Sequence, residues 1–93
     1  MTREEFEKKF CKGDITIAET DEFDEFFLEE LIEQIEYIDK YANFVYIMLY
    51  APNYIELVVN GYTQFHLNTF EDFGIYVEVF YKGFRQGIES NAK

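Results

Sequence analysis

At 93 residues, with 48% apolar and 20% aromatic side chains, the chain makes one domain around one small core, not a disordered acidic tail. Its formal charge of −11 argues against direct binding of nucleic acid or of an anionic membrane and favours basic protein surfaces. The excess is local: Gly13 to Asp39 hold eleven acids and no Lys or Arg, while the rest of the chain balances eight acids against eight bases.

Residues 2–11 have Phe6 and Phe10 one helical turn apart, which predicts a short helix that Gly13 would end. The N-terminus "MTREEFEKKF" lacks the apolar stretch of a signal peptide, and the single Cys11 fits a reducing compartment. No apolar run reaches a membrane-spanning length. The expectation is a soluble cytoplasmic protein of one domain, residues 1–93. "DITIAE" alternates Ile15 and Ile17 and reads as a short strand.

A helix is predicted from Thr20, an N-cap followed by acids that the helix dipole favours. At 100° per residue Phe23, Phe27, Leu31, Ile35 and Ile38 gather on one side, with Leu28 at the edge. Asp21, Glu22, Glu25, Glu29, Glu33, Glu36 and Asp39 fall on the other.

"NFVYIMLY" (43–50) has the near-continuous apolar character of a central strand, broken by Pro52-Asn53. "YIELVV" and "YTQFHL" flank Asn60-Gly61, a hairpin signal. A three-residue loop, Val59-Asn60-Gly61, would pair Val58 with Tyr62 and gather Ile55, Leu57, Phe65 and Leu67 on one face. Tyr54, Glu56, Gln64 and His66 would lie opposite. A two-residue turn would mix the faces, so burial favours the longer loop. The last segment is ambiguous: Asn68 with Glu71 makes a capping box before Phe70, Phe73, Val77, Phe80, Phe84 and Ile88 at helical spacing, yet "IYVEVFY" has strand propensity. The helix reading is preferred, which gives an α+β fold: a small antiparallel sheet of three to four strands packed against the acidic amphipathic helix and one or two further helices.

Catalytic signatures are sparse. The one Ser, Ser90, lies near the C-terminus, and Cys11 with His66 is the only thiol–imidazole pair available. No HExxH, CxxC, P-loop or GxGxxG occurs, and "DEFDEF" lacks the ligand spacing and glycine of a calcium loop. No cofactor, metal or enzymatic activity is expected.

The acidic helix is costly to build. Asp21-Glu25, Glu25-Glu29 and Glu29-Glu33 at i,i+4, with Asp21-Asp24, Glu22-Glu25, Glu30-Glu33, Glu33-Glu36 and Glu36-Asp39 at i,i+3, are all like-charge pairs. At a few tenths of a kcal/mol each, they cost roughly 2–4 kcal/mol at low salt. Interleaved lysines would remove that cost. Nine acids from Asp21 to Asp39 span about 27 Å of helix, one per ~3 Å, close to the ~3.4 Å per charge of a DNA strand. The pattern therefore points to a nucleic-acid mimic, whose partner-binding residues are Asp21, Glu22, Asp24, Glu25, Glu29, Glu33, Glu36 and Asp39.

In size, acidity, Tyr and Phe content and element order the chain resembles small phage-encoded inhibitors, among them the anti-CRISPR proteins that block Cas effector nucleases. In some of these a short antiparallel sheet precedes a helix, as "HLNTFEDFGIYVEVFYKGFRQGIES" would provide here. The acids of this chain concentrate before the sheet instead, which leaves two faces to weigh, the acidic helix and the Tyr-rich sheet. The resemblance implies a non-catalytic inhibitor whose partner is a basic nucleic-acid-binding protein. An immunity protein against a nuclease toxin, or a non-catalytic interaction protein forming a homodimer, would share the composition.

Overall fold

The computed structural model describes residues 1–16, 25–52 and 54–91. Three helices and four strands follow in the order α1 (Arg3–Phe10), β1 (Cys11–Gly13), α2 (Glu25–Tyr41), β2 (Val45–Tyr50), β3 (Tyr54–Val59), β4 (Tyr62–Leu67) and α3 (Phe70–Asn91). The class is α+β, with the strands in one sheet in the order β1-β2-β3-β4. The predicted helix start at Thr20 and the inner position Phe23 lie outside the described residues.

α1 opens on a capping box: the Glu5 N–H donates to Thr2 Oγ1 at 3.2 Å, and the Thr2 N–H donates back to Glu5 Oε1 at 3.3 Å. The helix stops at Phe10 because Cys11 is already extended, at φ −102° and ψ 134°. Gly13 is therefore not a helix terminator. It closes β1, which pairs parallel with β2 through Cys11–Ile47, Lys12–Met48 and Gly13–Leu49. The expected strand "DITIAE" is not this one: Asp14 to Thr16 are not in a strand, and residues 17–19 lie outside the described residues. A Cβ on Gly13, whose φ is +123°, would fall 1.8 Å from the Leu49 carbonyl oxygen, so only glycine permits this approach. The other three strands are antiparallel, and the sheet as a whole is mixed.

The β3–β4 hairpin corrects the expected loop. Val59 pairs with Tyr62, which leaves a two-residue turn of Asn60 (φ 55°) and Gly61 (φ 86°), both left-handed. The register then shifts between Leu57 and Val58, so Leu57 pairs with Phe65 while Val58 pairs with Thr63. Gln64 is the extra residue of a bulge. That bulge restores the face assignment a two-residue turn alone would scramble: Ile55 and Leu57 are buried, with Phe65 and Leu67 packed against the core. Asn60 also holds the turn to the preceding loop, its side-chain oxygen accepting from the Asn43 N–H at 2.7 Å and the Phe44 N–H at 3.3 Å.

The last segment is a helix throughout, Phe70–Asn91. Its cap is Thr69, not Asn68: the Thr69 hydroxyl accepts from the Asp72 N–H at 3.2 Å. Phe70, Phe73 and Val77 are buried, while Phe80 and Phe84 pack at the core's margin. Phe27 meets α3 at Gly74, and Tyr37 meets it at Tyr81, with ring centroids 5.4 Å apart. The two helices therefore run in the same direction, as the three strands between them require. All three helices feed one core on one side of the sheet, with Phe6, Phe10, Leu31, Ile35, Ile38, Leu49, Leu57 and Phe73 nearly or fully inaccessible. The molecule is elongated, 43 × 24 × 21 Å, since α3 is about 33 Å long and the six-residue strands only about 20 Å.

Candidate partner-binding face

The acidic face is built on α2 by its own periodicity. Leu28, Leu31, Ile32, Ile35 and Ile38 are buried, and this apolar side fixes the rotation of the helix on the core. Glu29, Glu33 and Glu36 are consequently exposed along the opposite side, with about 10 Å of helix rise from first to last. Glu25 is the first residue of α2, four positions before Glu29. Asp21, Glu22 and Asp24 lie outside the described residues.

Asp39 belongs to a different environment. It is half-buried, and Lys9 of α1 approaches it at 3.7 Å. Its charge is shared with α1 and is not presented with the other three. Ile32, which helical periodicity does not place on the inner face, is only 9% exposed. Met1 and Arg3 border the same flank: they line a shallow hollow with Leu28, Glu29 and Ile32. Met1 also borders Glu29, Ile32, Glu33 and Glu36 and is 50% exposed, which places an accessible apolar residue at the rim of the acidic stripe. Helix periodicity alone carries no signal for Met1, because its position depends on a tertiary contact. Glu30 lies on the other flank, against α3 beside Gln34 and Glu78.

Several acids elsewhere in the described chain have local compensation. Glu4, Glu5, Glu71 and Asp72 occupy first turns of helices. Asp14 accepts from the Ala51 N–H at 2.7 Å, Glu56 accepts from Tyr54 and Thr63, and Glu78 and Glu89 pair with Lys82 and Arg85. Glu29, Glu33 and Glu36 have no ion-pair partner among the described residues.

The second candidate face is the side of the sheet away from the helices. Register places Lys12, Met48, Glu56 and His66 in one row, Tyr46, Val58 and Thr63 in the next, and Tyr50 beside Tyr54. Tyr54 stacks on His66, with centroids 5.1 Å apart, and donates to Glu56 at 3.0 Å. Desolvation and that hydrogen bond push the Tyr54 phenol up. Lys12 covers the Tyr46 ring at 4.6 Å, and Phe44 stacks beside Tyr46. His66 thus sits beside Tyr54 and Glu56, as the hairpin pattern predicts. These side chains satisfy one another, and Lys12 brings a positive charge to this face.

Cys11 shares the inward-facing row of Ile47, Leu57 and Phe65, whereas His66 is on the outward row at the far edge of the sheet. The two cannot act as a pair. Burial, with a smaller contribution from Glu7, pushes the Cys11 thiol up to about 12. Among the described residues no group of three His, Cys, Asp or Glu could hold a metal ion, and no helix is long and apolar enough to cross a membrane.

No protein-family model, curated protein or solved structure matches the chain.

Proposed function

We infer that the chain is a non-catalytic inhibitor that occupies the nucleic-acid channel of a bacterial defence enzyme, in particular a Cas effector, by presenting its acidic helix as a DNA mimic. The observation that carries this reading is the contrast in charge compensation: Glu29, Glu33 and Glu36 stand exposed in a row without ion-pair partners, while Asp39, Glu78 and Glu89 each have one. A rigid row of carboxylates in register with a basic groove gains charge-assisted hydrogen bonds from Arg and Lys and is steered there by the field of the whole chain. The inhibitor acts in the cytoplasm of the bacterium, binds no nucleic acid itself and needs no cofactor.

The test is a band-shift assay with a guide-loaded Cas effector and its target duplex. Added chain should prevent the shift at near-stoichiometric amounts, and alone it should not shift the duplex at about 150 mM salt. A panel of effectors whose DNA binding is unchanged would contradict the target. A direct micromolar shift of the duplex by the chain alone would contradict the mimicry. Inhibition of a nuclease toxin in place of the effectors would keep the mimicry and make the chain an immunity protein.

A further inference from the structure

One solvent-facing flank of α3 is built unlike a solvated helix. Phe70, Phe73 and Val77 define the core side of the helix. At 100° per residue Ile75, Val79, Gly83 and Gly87 follow one four-residue row along a flank of the helix, with Tyr76 and Gln86 beside it and Lys82 at its border. The four residues of the row are uncharged, in a chain whose net charge is −11, and Lys82 is the charge nearest to it between Ile75 and Gly87. Ile75, Tyr76 and Val79 are 53%, 51% and 67% exposed, and with Phe65 and Phe80 they line an apolar hollow. A Cβ added at Gly83 or Gly87 would meet nothing within 4 Å. Neither glycine is needed for packing within the chain, and each weakens the helix that contains it.

The spacing identifies what fits. Ile75, Val79, Gly83 and Gly87 recur every four residues, two branched side chains followed by two glycines. When two copies of α3 cross antiparallel about a two-fold axis, one register sets Val79 of each copy against Gly83 of the other, and the same register sets Ile75 against Gly87. Every branched residue then enters the space left by a missing side chain, which is the self-complementarity an isologous interface requires. On the flank, Lys82 of each copy, 3.3 Å from Glu78 within its own helix, comes level with both Glu78 and Lys82 of the other copy, so these charges neither favour nor oppose the pairing. Glu71 and Glu89 meet at the exposed ends, where repulsion is screened.

We propose that this stripe of α3 is a homodimer interface, with a second copy of the chain packed antiparallel on Ile75, Val79, Gly83 and Gly87. The stripe is about 18 Å long and buries on the order of 500 Å² per copy, below the ~800 Å² of a standard stable interface. Association is therefore weak and depends on concentration. Because each copy carries −11, the dimer tightens as salt rises, the opposite of an acidic face binding a basic partner.

Sedimentation equilibrium of the full chain from about 5 to 500 µM, at low and at ~500 mM salt, tests this directly. The mass should rise from 11.2 kDa toward twice that value, at lower concentration in high salt. Val79→Glu, at an exposed position, should keep the circular dichroism spectrum and melting temperature and raise the dimer dissociation constant at least tenfold. Register is read in a Cys11→Ser background: a mixture of Val79→Cys and Gly83→Cys chains should form disulfide heterodimers under mild oxidation faster than either chain alone. A chain that remains monomeric across the range assigns the stripe to a different protein and overturns the proposal. So does a dimer that Val79→Glu leaves intact, or cross-linking without preference for the mixed pair.

Discussion

Phe27 lies directly over Gly74: a Cβ built on that glycine would sit 2.0 Å from the Phe27 Cε2. The contact sets the distance between α2 and α3 and holds the acidic helix in place from its apolar side. It also separates three glycines that look alike in the sequence. Gly74→Ala should destabilise the fold by about 1–3 kcal/mol through overpacking, despite alanine's better helix propensity. Gly87→Ala, in open space, should stabilise it by about 0.5–1 kcal/mol. Thermal melts at low micromolar concentration, where dimerisation is negligible, would show shifts of opposite sign.

The hairpin turn gives a second contrast. Asn60 and Gly61 both have positive φ, and Gly61 has only Phe44 near its missing Cβ, at 3.7 Å. Gly61→Val should therefore lose stability by backbone strain alone, about 1–2 kcal/mol, while Thr63→Val, which removes only an exposed hydrogen bond to Glu56 and keeps strand propensity, should cost less. Asn60→Ala should cost at least as much, since it removes the acceptor for the Asn43 and Phe44 N–H groups as well. Urea denaturation of the three variants measures all of these.

Cys11 links burial to pH. Its thiol is raised from 9.0 to about 12, so the folded chain keeps a proton that the unfolded chain releases first. Stability is therefore unaffected below about pH 9 and falls as pH rises from there toward 12, by roughly 1.4 kcal/mol per unit. The eight tyrosines titrate in the same range, so the difference between wild type and Cys11→Ala isolates the thiol. The folded protein should also react with iodoacetamide at pH 8 at least ~100-fold more slowly than the urea-unfolded chain.

How much was legible in the sequence follows from the range of each interaction. The inner face of α2 and the exposure of Glu29, Glu33 and Glu36 follow from local periodicity, which three helical turns express fully. Ile32 and Asp39 do not: Met1 and Arg3 border the flank of Ile32, and Lys9 reaches Asp39 from another element. β1 is three residues long, too short for alternation to show, and its pairing depends on Gly13 lying against Leu49. In the hairpin the hydrophobic faces were readable, but not the bulge at Gln64 that reconciles them with a two-residue turn. The strand-like "IYVEVFY" is helical because only Val77 of its first five residues is buried; Ile75, Tyr76 and Val79 point to solvent. Propensity suggested a strand where the next contact was missing from the chain itself.

The acidic stripe has a stability signature of its own. Changing Glu29, Glu33 and Glu36 to Gln removes like-charge neighbours while keeping helix propensity, and should raise the melting temperature at low salt, with the gain shrinking as salt is added. A lower melting temperature would mean that these carboxylates are compensated in the folded chain.

The most direct measurement is the affinity of a Cas effector for the wild-type chain and for the variant with Glu25, Glu29, Glu33 and Glu36 all changed to Gln, at salt concentrations from about 50 to 500 mM. Wild-type binding should weaken steeply with salt. The variant should bind at least tenfold more weakly, with a flatter salt dependence, while melting at or above the wild-type temperature. A variant that melts higher yet binds with unchanged affinity and unchanged salt dependence would contradict the mimicry, and would move the binding site to the Tyr46–Tyr54–His66 face of the sheet.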